Sequence, residues 1–376
     1  AVPATADAAA GLDAVLWRRQ PGLLRLRPAL PGAVLRDVRL LLDGQLGLVM
    51  SLPDQQLQAW RLEPRAGGLA PWSTAVSSEW LGVATDGRHI AWLGYEVGPP
   101  PTRAIMGGSR RPDVLWLAAD EPSRLPTGWR APLDDDEQLR DVSWSPRADR
   151  LLVVAGQWQS SSVARARLWL VDAATLDARQ VMSLPSDLVR GSVVWSPDGT
   201  RVAFLAHAGV LNALCLLDLD GGFRYLADLE PTTSQPLAYP PAAWSRDSQQ
   251  LAFVAPRQAP AGTPVSWLQP ELRRAIYVAR TTDAAPVLIS ETDLDRVTWR
   301  EDGQLLGLGR LGNDGALDLR LVSGATSSHL VDLTLRPVPG YGAAWDVAHA
   351  RLLLANPAPA GSVEYWLALL GLDGDA

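Results

Sequence analysis

Few residues in this chain have a type and spacing that could do chemistry. Gly307-Leu308-Gly309-Arg310-Leu311-Gly312 fits the pattern G-x-G-x-x-G. Such a loop holds a pyrophosphate only when a helix follows, because the N–H groups and dipole of the helix N-terminus bind the charge. Asn313-Asp314-Gly315 follows instead and turns the chain into another apolar run, so a β-turn is expected. Asp134-Asp135-Asp136-Glu137 offers oxygen ligands of the kind Ca²⁺ takes, but not the spaced D-x-D-x-D-G loop that wraps the ion. A solvated acidic connector is expected there. His89, His207, His329 and His349 stand far apart, without H-x-H or H-E-x-x-H spacing, so only the fold could bring them onto one metal. No G-x-S-x-G nucleophile elbow occurs. The single cysteine, Cys215, excludes an internal disulfide framework and lies within an apolar run, as a small core hydrophobe does. No catalytic, metal-binding or cofactor-binding residue is assigned, no cofactor is expected, and the expected role is not that of an enzyme.

The charge balance narrows the partners. The chain of 376 residues has net charge −7, and all 34 of its basic residues are arginine. A pI of 5.2 argues against nucleic acid or an anionic membrane as the main partner. No run of 18 apolar residues exists, so no spanning helix is expected. Ala1 to Gly11 is small and almost uncharged, and is expected to be a flexible leader before a single domain over 12–376. Such a segment commonly follows a secretory or lipoprotein signal. The expected location is therefore extracytoplasmic, periplasmic or cell-surface, with room for an N-terminal membrane tether.

The elements that must position any site are repeated. Val193 to Ala206, V-V-W-S-P-D-G-T-R-V-A-F-L-A, reads as strand, turn, strand. Ser196-Pro197-Asp198-Gly199 is a turn with a mechanism, since proline presets φ, Asp bonds its own backbone and Gly accepts positive φ. Variants follow Trp144, Trp244, Trp299 and Trp345, at steps of 51, 49, 55 and 46 residues with Trp195 included. Weaker copies lie at Val83 to Leu93 and Arg39 to Met50, which makes seven. Downstream of each comes an apolar strand centred on Trp60, Trp116, Trp169, Cys215, Tyr277, Arg320 or Trp366, and usually a fourth strand. A period of this size means stacked supersecondary units. The expectation is an all-β, seven-bladed β-propeller of four-stranded antiparallel blades. The last repeat supplies three strands, and Leu23 to Arg27 can complete it, closing the ring by pairing the chain's start with its end. Ala14 to Arg18 then either competes for the third position or adds an outer strand.

W-S-P-D-G-T-R-V-A-F at 195–204 resembles the WD40-like repeat of TolB-type β-propellers, whose relatives form the N-terminal propeller of dipeptidyl peptidases. The likeness runs from Val38 to Leu372. It implies protein or peptide partners docking at one mouth of the central channel. The expected function is a non-catalytic interaction or scaffolding module of a cell-envelope or membrane-associated assembly. The alternatives are a small-ligand or glycan sensor, or a propeller enzyme with its site at the channel. Residues just before the first strands rim one mouth: Arg36, Glu79, Arg140, Arg190, Tyr239, Asp295 and Tyr341, with Asp37, Asp141, Arg296 and Pro240-Pro241 beside them. Arginine and tyrosine are enriched at binding hot spots, and three arginines favour an anionic group such as a carboxylate. Alternatively they solvate the end of the disc and pair with Asp37 and Asp141. Two long inserts, Gly94 to Pro112 and Ala255 to Arg274, offer a second candidate contact surface.

Overall fold

The computed structural model describes residues 12–16, 23–28, 34–41, 43, 45–63, 68–73, 75–76, 78, 80–94, 112–119, 126–135, 137–157, 165–208, 211–229, 242–256, 274–283, 285–292, 294, 296–299, 303–311, 316–323, 326–333, 343–346, 351–357 and 365–371. The leader and both long inserts, 95–111 and 257–273, lie outside them. The chain divides into two compact units, one built chiefly on residues 24–190 and the other on 191–357. Among the described residues no helix is long and apolar enough to cross a membrane.

Every described element is a strand. β1 (Leu12–Leu16) forms a hairpin with β2 (Leu23–Pro28). In the first unit, sheet I consists of β3 (Val34–Leu40), β4 (Leu46–Ser51), β5 (Leu57–Glu63) and β6 (Gly68–Pro71). Sheet II consists of β7 (Leu81–Val83), β8 (His89–Gly94), β9 (Val114–Ala119) and β10 (Thr127–Arg130). Sheet III consists of β11 (Glu137–Trp144), β12 (Arg150–Gln157), β13 (Ala166–Asp172) and β14 (Ala178–Leu184). The second unit holds sheet IV, of β15 (Val194–Trp195), β16 (Arg201–Ala208), β17 (Leu211–Asp218) and β18 (Phe223–Leu229). Sheet V follows, of β19 (Ala242–Trp244), β20 (Gln250–Pro256), β21 (Arg274–Arg280) and β22 (Val287–Thr292). Sheet VI has β23 (Arg296–Trp299), β24 (Leu305–Leu311), β25 (Ala316–Ser323) and β26 (Thr326–Leu333). β27 (Ala343–Asp346), β28 (Arg351–Pro357) and β29 (Tyr365–Gly371) complete the chain. Each of the six sheets is an antiparallel meander of four consecutive strands.

Tryptophans at the ends of the first strands join neighbouring sheets. The Nε1 of Trp144 donates to the Gly82 carbonyl at 3.4 Å, that of Trp244 to Val194 at 3.2 Å, and that of Trp299 to Ala243 at 3.0 Å. In each case the acceptor sits one residue before the corresponding position of the preceding sheet. The bond satisfies the only polar atom of a buried ring, which a dry interface requires. Around the rings run continuous apolar seams. One joins sheets I and II through Leu41, Val49, Ala59, Leu81, Val83 and Ile90. Another joins sheets V and VI through Ile276, Val278, Leu294, Val297 and Trp299. Second strands are covered on both faces, as Val202 to Ala206 and Leu251 to Ala255 show by being buried throughout. Trp144, Trp195, Trp244 and Trp299 are all buried, as expected for the column; the side chain of Trp345 lies outside the described residues.

The turns follow their motif. Asp198 Oδ1 accepts from Ser196 Oγ at 2.6 Å, Thr200 N at 3.0 Å and Thr200 Oγ1 at 2.8 Å, and Arg201 N returns a bond to Ser196 Oγ. The last residue of the turn is left-handed in five turns, at Gly87, Ala148, Gly199, Ser248 and Gly303, with φ between 57° and 79°. Glycine occupies it without steric cost, whereas Ala148 and Ser248 hold it against Cβ crowding. Ser248 gains a compensation, since its Oγ accepts from Asp198 N of the preceding sheet at 3.0 Å.

The fourth strands carry a repeated bulge. Opposite Trp169, Cys215, Tyr277 and Arg320, the register slips by one residue in β14, β18, β22 and β26. A bulge twists the outer strand and spoils it as a template for edge-to-edge pairing. Gly307 and Gly309 lie inside β24, which removes the nucleotide-loop reading, and a Cβ on Gly307 would overlap Leu294 Cδ1.

Replacing Trp244 with alanine is expected to cost about 3–5 kcal/mol in a urea titration, as buried aromatic truncations do. Trp244→Phe, which keeps an aromatic ring but removes the bond to the Val194 carbonyl, is expected to cost about 1–3 kcal/mol. Ala148→Gly should move stability the other way by about 1 kcal/mol, because it relieves the left-handed Cβ.

Candidate functional site

The starts of the first strands hold the polar residues that the interior does not need. In sheet I the register passes from Leu35↔Met50 to Asp37↔Val49, so Arg36 is the extra residue of a bulge. In sheet III it passes from Leu139↔Ala155 to Asp141↔Val154, so Arg140 is the extra residue at the equivalent place. Bulges re-aim a side chain out of the alternation of its strand. Two of the expected mouth arginines thus share a backbone device as well as a position. It also explains why β3 begins at Val34, earlier than the repeat beginning at Arg39 suggests.

Arg36 is exposed, while Arg140 is half-buried. The Arg140 side chain runs over Gly156, where a Cβ would sit 2.8 Å from its Cδ. Its guanidinium donates through Nη1 to Asp187 Oδ2, and Asp187 Oδ1 accepts from Leu188 N at 2.9 Å. The carboxylate that neutralises Arg140 is therefore Asp187, not the expected Asp37 or Asp141. Asp141 is buried, and its Oδ1 accepts from Val142 N at 2.9 Å. Gln138, two residues before Arg140, is only 4% exposed. Its Oε1 and the Nε of Arg140 are buried without hydrogen-bond partners among the described residues. Glu137 is buried against Arg167, which also donates to the Pro132 carbonyl at 3.0 Å. That pair anchors the acidic connector: Asp134 and Asp135 are exposed, and Asp134 N donates to Glu137 Oε2 at 2.9 Å.

Of the remaining expected site residues, Arg190 is exposed and stands just before β15. Glu79, Tyr239, Asp295, Tyr341 and Pro240-Pro241 lie outside the described residues, and for Asp37 and Arg296 the backbone alone is described. Gln138, Gly156 and Asp187 are additions that the sequence reading missed. A local signal was present for part of this: Leu35-Arg36-Asp37-Val38 recurs as Leu139-Arg140-Asp141-Val142.

His89, Cys215 and the turn aspartates belong to the framework. His89 Nδ1 lies 2.6 Å from Asp86 Oδ2, and its ring centroid is 6.2 Å from that of Trp144. Burial pushes the Cys215 thiol up to about 11, so it is inert at neutral pH. No group of three His, Cys, Asp or Glu side chains that could hold a metal ion occurs among the described residues. Asp198 is held below its ordinary value of 3.8: burial raises it, but bonds from Ser196 and Thr200 and the charge of Arg201 outweigh that. Asp247 is lowered by Ser245 and Gln249 N, and Asp172 chiefly by Thr175 N.

No protein-family model matches the chain, and no curated protein matches it. Solved structures do. The oligogalacturonate lyase of Vibrio parahaemolyticus superposes with a TM-score of 0.62 at 13% identity, over 96% of this chain and 97% of that one. An oligogalacturonate lyase in complex with manganese gives 0.59 at 13%, over 96% of each chain. The acylaminoacyl peptidase of Pyrococcus horikoshii gives 0.53 at 14%, over 91% of this chain and 52% of that one. The fold is a β-propeller. The expectation of a non-enzyme does not stand, because the solved structures similar in fold include two lyases and a peptidase, all enzymes. Missing linear motifs were a poor ground for it, since a propeller gathers a site from separate strands.

Because these aspartates have lower pKa values folded than unfolded, their stabilisation is complete above the unfolded value and is lost as pH falls through the folded one. Urea midpoints should be flat above about pH 5 and fall below it, through the ordinary value of 3.8. Asp198→Asn should be less stable than wild type at neutral pH, and that difference should shrink as pH falls.

Proposed function

We propose that this chain is a propeller enzyme acting on a carboxylate-bearing substrate at the mouth where its first strands begin. The observation that carries this is the pair of bulges that place Arg36 and Arg140 at equivalent positions in two sheets. Arg190 adds a third guanidinium before a first strand. Guanidinium groups bind carboxylates through paired, charge-assisted hydrogen bonds. Asp187 and Gly156 hold Arg140 in place.

Acidic oligosaccharides are the first substrate class to test. This chain spans the lyases almost end to end, whereas it spans about half of the peptidase. An arginine on a uronate carboxylate would neutralise its charge and orient the sugar at the mouth. The described residues do not form a site for the manganese named with one lyase, so no step is assigned to a metal. The same proposal carries a single seven-bladed domain, closed by β2 completing the last blade, and an extracytoplasmic location. An acidic peptide or protein partner would use the same arginines and is the competing ligand in the test.

The experiment is incubation with oligogalacturonate, following the ultraviolet absorbance of an unsaturated product, alongside calorimetric titration with the same ligand. Neutral galacto-oligosaccharides and an acidic peptide serve as controls. Turnover or saturable binding of the acidic sugar is expected, reduced at least tenfold in Arg36→Ala/Arg140→Ala. Gly156→Ala, which displaces Arg140 without removing it, should give a smaller loss. Binding of the peptide alone would replace the substrate class. No binding or turnover of any acidic ligand, with circular dichroism intact, would remove the mouth from consideration.

A further inference from the structure

Sheets IV and V meet through an arginine. Arg224 of β18, opposite Leu216 of β17, donates to the Thr281 carbonyl at 2.9 Å and to the Asp283 carbonyl in the β21–β22 turn. Sheet III carries Arg179 at the same register, opposite Leu170. In sheet V that register belongs to Val287, opposite Val278. No guanidinium can cross from there to sheet VI, and a cavity of about 480 Å³ lies between the two sheets. That volume is in the range of small-ligand sites, roughly 300–1,000 Å³.

The cavity has an apolar floor and a charged rim. Val278, Ile289, Trp299 and Leu305 line the floor. The Trp299 Nε1 is already committed to Ala243, so the ring offers only apolar surface. Arg280 and Asp283 stand on the rim. Arg280 is exposed and has no ion pair among the described residues, and Asp283 Oδ1 accepts only a hydroxyl bond, from Thr282 at 3.1 Å. Two opposite charges above an apolar floor complement a small zwitterion. Its carboxylate meets Arg280, its ammonium meets Asp283 and its side chain covers the floor.

We propose that this cavity binds a small zwitterion with an apolar side chain, the chemistry of a free aromatic or branched aliphatic α-amino acid. The cavity lies at the end of sheets V and VI where the first strands turn into the second. The arginine site lies at the other end of the first strands and in other sheets, so the two succeed or fail separately.

Calorimetric titration of the whole chain with phenylalanine and leucine tests this. N-acetylphenylalanine and phenylalaninamide, each lacking one charge, are the comparison ligands. One saturable site is expected for the free amino acids, with each capped form at least tenfold weaker. Arg280→Gln should bind phenylalanine about as weakly as wild type binds phenylalaninamide, and Asp283→Asn about as weakly as it binds N-acetylphenylalanine. Val287→Arg, which restores the arginine of sheets III and IV, should abolish binding and leave thermal unfolding near wild type. The absence of saturable binding at millimolar ligand overturns the proposal. So does binding that Arg280→Gln and Asp283→Asn leave unchanged, and these exposed or half-exposed positions decide the matter if Val287→Arg fails to fold.

Discussion

The hydrogen bond from a buried indole to the backbone of the preceding sheet is the contact on which the rest of the structure depends. A four-stranded antiparallel sheet with two apolar faces is not stable alone, because both faces must leave water. Trp144, Trp244 and Trp299 supply large apolar surfaces at these seams, and their single N–H groups fix how far one sheet slides along the next. An aliphatic side chain could fill the same space. It would not report register, since dispersion and hydrophobic burial are non-directional.

Registers set by these bonds determine what the turns can do. With the sheets aligned, Ser248 of one turn meets Asp198 of the preceding one, and Arg201 reaches the Ser248 carbonyl at 3.1 Å. A left-handed serine is tolerated at a position that favours glycine because the neighbouring sheet uses its hydroxyl. The strand starts are under less constraint. They lie beyond the tryptophan seams, so they can carry bulges, buried carboxylates and arginines that a sheet interior would exclude. Arg36 and Arg140 are aimed by irregularities that the fold permits there.

Departures from the repeat are therefore more informative than the repeat itself. Val287 in place of an arginine leaves a cavity in one seam, and Gly156 beneath Arg140 makes room for a guanidinium. The absence of linear catalytic motifs says little about activity in such an architecture. A site there can draw on separate sheets, and no short stretch of sequence needs to contain two of its groups.

The sequence by itself determined the strand-turn-strand unit, its spacing, the buried tryptophan column and the all-β class. These depend on local rules: alternation, turn chemistry and periodicity act within about ten residues. It also located Arg36 and Arg140, because position within a repeat is countable. Only the tertiary structure decided what those residues do. Asp187 neutralises Arg140 from 47 residues away. The bulge that aims Arg140 depends on pairing with β12, and the open seam beside Val287 on a comparison between sheets. Such facts are legible only after packing, because the energy of an ion pair or a cavity depends on which groups burial brings together, and residue type alone does not encode that.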